Sequence, residues 1–151
     1  MVSWADVVGG SCVFASRCGI WWPQADGWRR IGWQHVDKAI WRDGSLSVVQ
    51  ADVVDDLLLV DRDPVQVRLM VARDLPPVVR KRVEANVVQT LLEPVPGGSA
   101  RFVARRVPGE DGVRWWARLE PGTGVDAQGR AAIARRRDEL AAAWAATHRA
   151  L

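Results

Sequence analysis

The sequence predicts an α+β protein, mainly antiparallel β, built as a small barrel or as two packed sheets, with a short inserted helix over about 75–85 and a C-terminal amphipathic helix over about 126–150. Three observations predict this. Val65, Val67, Leu69 and Val71 alternate with Gln66, Arg68 and Met70, which is the period of a half-buried strand. Asp-Gly, Pro-Gly and Gly-Gly pairs punctuate the chain at short intervals, as turns between short strands do. From Asp126 onward alanine, arginine, glutamate and leucine dominate and proline is absent, a composition that favours helix. With 151 residues the chain suits a single domain, 1–151, around one core.

Taken in order, Ser11–Ser16 and Cys18–Trp22 form a first hairpin, closed by Pro23 and the polar turn Gln24–Gly27. Trp28–Trp33 follows, with Gly32 marking a bulge or a close backbone approach. Asp37–Trp41 and Leu46–Gln50 flank Arg42-Asp43-Gly44-Ser45, and an Asp-Gly pair between apolar runs is a strong hairpin signal. The run Asp52–Asp61 mixes acidic and apolar residues without a clean period and reads as strand or helical turn.

After the Val65–Val71 strand, Asp74 can cap a helix whose first turn accommodates Pro76 and Pro77, because its opening N–H groups have no intrahelical partner. Val87–Val95, Arg101–Val107 and Val113–Leu119 then form a three-strand meander separated by glycine- and proline-rich turns. In the final helix Ile133, Leu140, Trp144 and Leu151 fall on one stripe, able to lie across a sheet or a barrel mouth.

Composition excludes several classes of function. Lys38 and Lys81 are the only lysines among 21 basic residues, so arginine usage reflects coding bias more than a site. The net charge is only +3, with both signs interspersed, and the first half is net negative while the second is net positive. The N-terminus has neither a basic leader nor a long apolar run, no segment suits a transmembrane helix, and the expected location is the cytoplasm. Cys12 and Cys18 are too few for a zinc site and are expected as free, buried thiols. No metal or other cofactor is expected.

Several short strands followed by an amphipathic helix resemble the order of elements in pleckstrin-homology-like and GRAM-like barrels. The stretch Gly27–Val48, with its tryptophans and tight Asp-Gly turn, looks like a segment of small bacterial proteins of that type. The stretch Arg73–Val83 is similar to one in uncharacterised proteins of high-GC Gram-positive bacteria. The resemblance implies a barrel closed by a helix, and no catalytic residue comes with it.

Catalytic side chains are scarce: two histidines, two cysteines and no tyrosine. His148 suits the end of a helix, and His35 beside Asp37 is the one candidate base, for a small hydrolase. Asp55, Asp56, Asp61 and Asp63 read as a solvated acidic loop, without the spacing of a calcium loop. Adjacent residues of a strand face opposite ways, so one of Trp21 and Trp22 and one of Trp115 and Trp116 point outward. Trp22, Arg114, Trp116 and Arg118 are therefore the candidate protein-binding surface. Arg80, Lys81 and Arg82, with Arg105 and Arg106, are the candidate anion site for a lipid head group or nucleic acid. The leading expectation is a non-enzymatic module that binds an unidentified protein, with oligomeric state open.

Overall fold

The computed structural model describes residues 3–149. The protein is α+β and mainly antiparallel, with two α-helices, and one of its sheets curls into a half-barrel. Its contacts gather into two compact units. The first holds the chain up to Ala51, Asp61–Asn86 and Val107–Gly109; the second holds Asp52–Val60, Val87–Arg106 and the chain from Glu110 onward. Buried residues form two clusters, one in each unit, where chain length led us to expect one interior. The cause is a division of apolar residues between two strand groups, each with a helix of its own to cover it.

The first unit opens with a four-strand meander, β1 (Ser3–Val7), β2 (Ser11–Ala15), β3 (Gly19–Gln24) and β4 (Gly27–Gly32), every neighbouring pair antiparallel. Strand β1 is the element that the sequence reading missed. Its alternation of Ser3, Ala5 and Val7 with Trp4 and Asp6, ahead of Gly9-Gly10, is the signal that identifies it. A 3-10 turn at Trp33–His35 leads into β5 (Val36–Arg42), which pairs with β6 (Ser45–Val54). Asp43 and Gly44 between them have φ of 52° and 80°, the left-handed pair of a two-residue hairpin turn. Strand β8 (Val65–Arg68) pairs with the start of β6, and just beyond it Leu69 bridges to Val7 of β1. Strand β3 runs through Pro23, expected to end it, to Gln24.

Helix α1 (Leu75–Asn86) packs against β5, β1, β2 and the 3-10 turn. Its Leu75 and Val79 join Ala5, Val13, Ile20, Trp22, Ile31, Leu46 and Val48 in the core. These strand residues come from alternate positions, so one face of each strand supplies the interior. The Asp74 carboxylate, at the entrance to α1, accepts a hydrogen bond from Ser3 Oγ at 2.6 Å.

The second unit contains the three-strand meander, β9 (Val87–Val95), β10 (Gly98–Arg106) and β11 (Val113–Leu119), with β7 (Leu58–Asp61) beside β11 in parallel. The ambiguous Asp52–Asp61 run is thus the end of β6, a turn at Asp55 and Asp56, and β7. Between β9 and β10 a Cβ at Gly97 would collide with the carbonyl of Gly124, and one at Gly98 with Thr123, so only glycines admit the loop that reaches α2.

Helix α2 (Ala127–Thr147) starts at Asp126, whose carboxylate accepts from Gly129 N at 2.8 Å. It lies on β11 and β9 with Ile133 buried in the same cluster as Phe102, and Leu140 and Trp144 half-buried along the same stripe. Leu151, the last member of the expected stripe, lies outside the described residues. Helix α1 thus covers the core of the first unit, while α2 covers that of the second. Leu46→Ala and Ile133→Ala are each expected to lower unfolding free energy by about 2–5 kcal/mol, against about 0.5 kcal/mol or less for exposed Val8→Ala. Urea titration followed by tryptophan fluorescence measures both.

Candidate functional site

Two tryptophans of the expected protein-binding surface are not on the surface. Trp22 is 6% exposed and belongs to the core of the first unit. Trp116 is 3% exposed: β11 lies between β7 and β10, and both of its faces are withdrawn from water, so alternation there does not separate core from solvent. Arg114 is exposed but held by Glu110 in a bidentate pair at 2.8 and 2.9 Å, and Arg118 is half-buried.

The expected anion site is divided between units. Arg80, Lys81 and Arg82 lie on α1, where Arg80 pairs with Glu84 at 3.0 Å, while Arg105 and Arg106 lie on β10. Arg105 is buried, at a register shift between β10 and β9. His35 is half-buried at the end of the 3-10 turn. Cys18, expected as buried, is exposed in the tight turn between β2 and β3, and Cys12 is half-buried; both are free thiols. Among the described residues no group of three or more His, Cys, Asp or Glu is placed to share a metal ion. No described helix is long and apolar enough to cross a membrane.

The outward aromatic surface is instead the other face of β1–β4. Strand register places Trp4 opposite Phe14, Phe14 opposite Trp21, and Trp21 opposite Arg30, one row across four strands. The Phe14 and Trp21 rings stack at 5.5 Å, and Trp28, a neighbour on β4, tilts against Phe14 at 5.9 Å. Their indole N–H groups are already satisfied: Trp28 Nε1 donates to the Cys12 carbonyl at 2.8 Å, and Trp21 Nε1 to Ser16 Oγ at 3.2 Å. Their rings therefore face outward as apolar surface. Trp4 remains 42% exposed and Trp28 47%.

An arginine stands at each end of this row. Arg73 carries its guanidinium 4.2 Å above the Trp4 ring, and its own backbone is left-handed, φ 55°. Adjacent contacts hold it there: inward-facing Ser3 bonds Asp74, and outward-facing Trp4 meets Arg73. Alternation of β1 beside that of β2 and β3 is the signal that could have found the row, and overlooking β1 concealed it. Around β5 and α1, Ile40, Trp41, Pro77 and Val83, together with the charged Lys38, Arg80 and Glu84, line a groove of about 620 Å³.

No protein-family model matches the chain, nor does any curated protein or solved structure.

A perturbed carboxylate lies elsewhere, in the second unit. Arg136 on α2 donates to both Glu93 oxygens on β9, at 2.7 and 3.0 Å, and this hydrogen bonding holds Glu93 below the ordinary carboxylate range, with Coulomb attraction adding to it. The same bonds, with one that Arg136 donates to Glu139, raise Arg136. Because the folded value of Glu93 lies below the unfolded one, near ~4.3, the pair contributes stability that is present above that pH and is lost as pH falls through the folded value. Glu93→Gln should flatten the acid limb of stability against pH below about pH 4, and about 1 M NaCl should shrink the difference, since both side chains are partly exposed. An unchanged acid limb in that variant would contradict the assignment.

Proposed function

We propose that the protein is a non-enzymatic interaction module, of bacterial origin and working in the cytoplasm, that binds a protein partner through the Trp4–Phe14–Trp21–Arg30 face and Trp28. The observation that carries the proposal is the exposure of Trp4 and Trp28 on a sheet whose other face already has a full core. Large aromatics kept out of the core and flanked by arginine have the composition of interface hot spots. Arg30 and Arg73 flank the row and Asp6 shares the face, so the partner presents an apolar surface bordered by carboxylates.

A pleckstrin-like architecture for the first unit is part of the proposal. Four meandering strands, then β5, β6 and β8, then a helix over the interior support it, as does the contact of the segment after β8 with β1. In this reading the closing helix is α1. Fold likeness by itself selects no ligand, so the aromatic face carries the functional claim.

Selection of a displayed random-peptide library on the full chain, with amide chemical-shift mapping, tests it. Enriched peptides should combine aromatic with acidic residues and perturb β1–β4, and Trp4→Ala and Trp28→Ala should each weaken them about tenfold or more while circular dichroism stays unchanged. Mapping to the β5–α1 groove would overturn the proposal. So would tight binding of oligothymidylate to the same face with steep salt dependence, the behaviour of a nucleic-acid stacking platform.

A further inference from the structure

A second surface of the first unit has different chemistry. On the sheet formed by β5, β6 and β8, Trp41, Leu46 and Val67 form one cross-strand row, as do Ala39, Val48 and Val65, and Leu46 and Val48 place these rows on the core face. Residues of the other parity face outward. They give the row Arg42–Ser45–Arg68 and, one step along the strands, Ile40–Ser47–Gln66. Five of these six side chains are hydrogen-bond donors.

A depression of about 370 Å³ lies over the two rows, lined by all six residues and Asp43. Strand spacing sets Arg42 and Arg68 roughly 10 Å apart, so a group seated above Ser45 is about 5 Å from each. Serine at the centre keeps the floor low and offers a hydroxyl. The Arg68 guanidinium is held over the hairpin turn, donating to the Asp43 carbonyl at 3.4 Å and lying against Gly44. Several arginines elsewhere face carboxylates, as in Arg101–Glu120, Arg130–Asp55 and Arg136–Glu93. Here two guanidiniums flank a serine, and the one acidic side chain among the lining residues is that of Asp43, in the turn.

We propose that this depression binds a phosphate monoester, its dianion held between Arg42 and Arg68 and bonded by Ser45, Ser47 and Gln66. Guanidinium donors match phosphate oxygens in pairs, and the hydroxyls and amide complete the shell. Ile40 supplies an apolar wall for the organic part of the ester. The same chemistry comes from a soluble phosphorylated metabolite or from a phosphomonoester lipid head group. The site is separate from the aromatic face, on different strands, and stands or falls independently of it.

The full chain, labelled with nitrogen-15, is titrated with glycerol 3-phosphate and mixed separately with vesicles containing phosphatidic acid or phosphatidylglycerol. Glycerol 3-phosphate is expected to shift the amides of Ser45, Ser47, Gln66 and Arg68, and Arg42→Gln and Arg68→Gln each to weaken it about fivefold or more. Ser45→Val, which fills the floor without touching either charge, should weaken it too. Sedimentation with phosphatidic acid but not phosphatidylglycerol, lost in Arg42→Gln, identifies a lipid source; binding of the soluble ester alone identifies a metabolite. Absence of both, shifts mapping elsewhere, or indifference of Arg42→Gln and Arg68→Gln overturns the proposal. Because Arg68 also steadies the hairpin turn, Arg42→Gln is the decisive variant.

Discussion

Alternation along short antiparallel strands is the constraint on which the first unit depends. Once Ala5, Val13, Ala15, Ile20, Trp22, Leu46 and Val48 are committed to one interior, every neighbouring residue is committed to the opposite face. Trp4, Phe14 and Trp21 thereby meet in a row although ten residues separate the first two in the chain, and Arg42, Ser45 and Arg68 meet in another. Both candidate surfaces are consequences of core packing. A register slip of one residue would turn Trp4 of β1 inward and Ala5 outward, or Ser45 and Ser47 of β6 inward and Leu46 and Val48 outward, so the pressure that keeps the core dry also preserves both surfaces.

The second unit obeys a different rule. Its β10 and β11 are buried on both faces at Val103 and Ala104 and at Trp115, Trp116 and Ala117, and even Arg105 is drawn inside. Helix α2 is fastened by its Asp126 cap, by Ile133 and by charge pairs at Glu93 and Asp55. The outward parity of a strand bears water-facing chemistry only where water reaches it, which holds for β1–β4 and fails for β11.

Much of the fold was legible. The Asp43-Gly44 hairpin, the meander of residues 87–119 and the C-terminal helix follow from turn residues, periodicity and composition, all local properties. The site was less so. Reading Trp116 as outward applied alternation correctly and supposed solvent on one side of β11, which depends on the whole sheet. Overlooking β1 hid the aromatic row, because its alternation runs over only five residues and sets serine and a small alanine, not large apolar side chains, on the inner face.

By itself, the sequence determined the elements and the parity of each strand, since backbone preferences act over a few residues. Tertiary structure alone decided which parity meets water, that two interiors form in place of one, and which arginines find carboxylates. Those outcomes depend on strands distant in sequence lying side by side, and burial is a property of what covers a side chain rather than of the side chain itself.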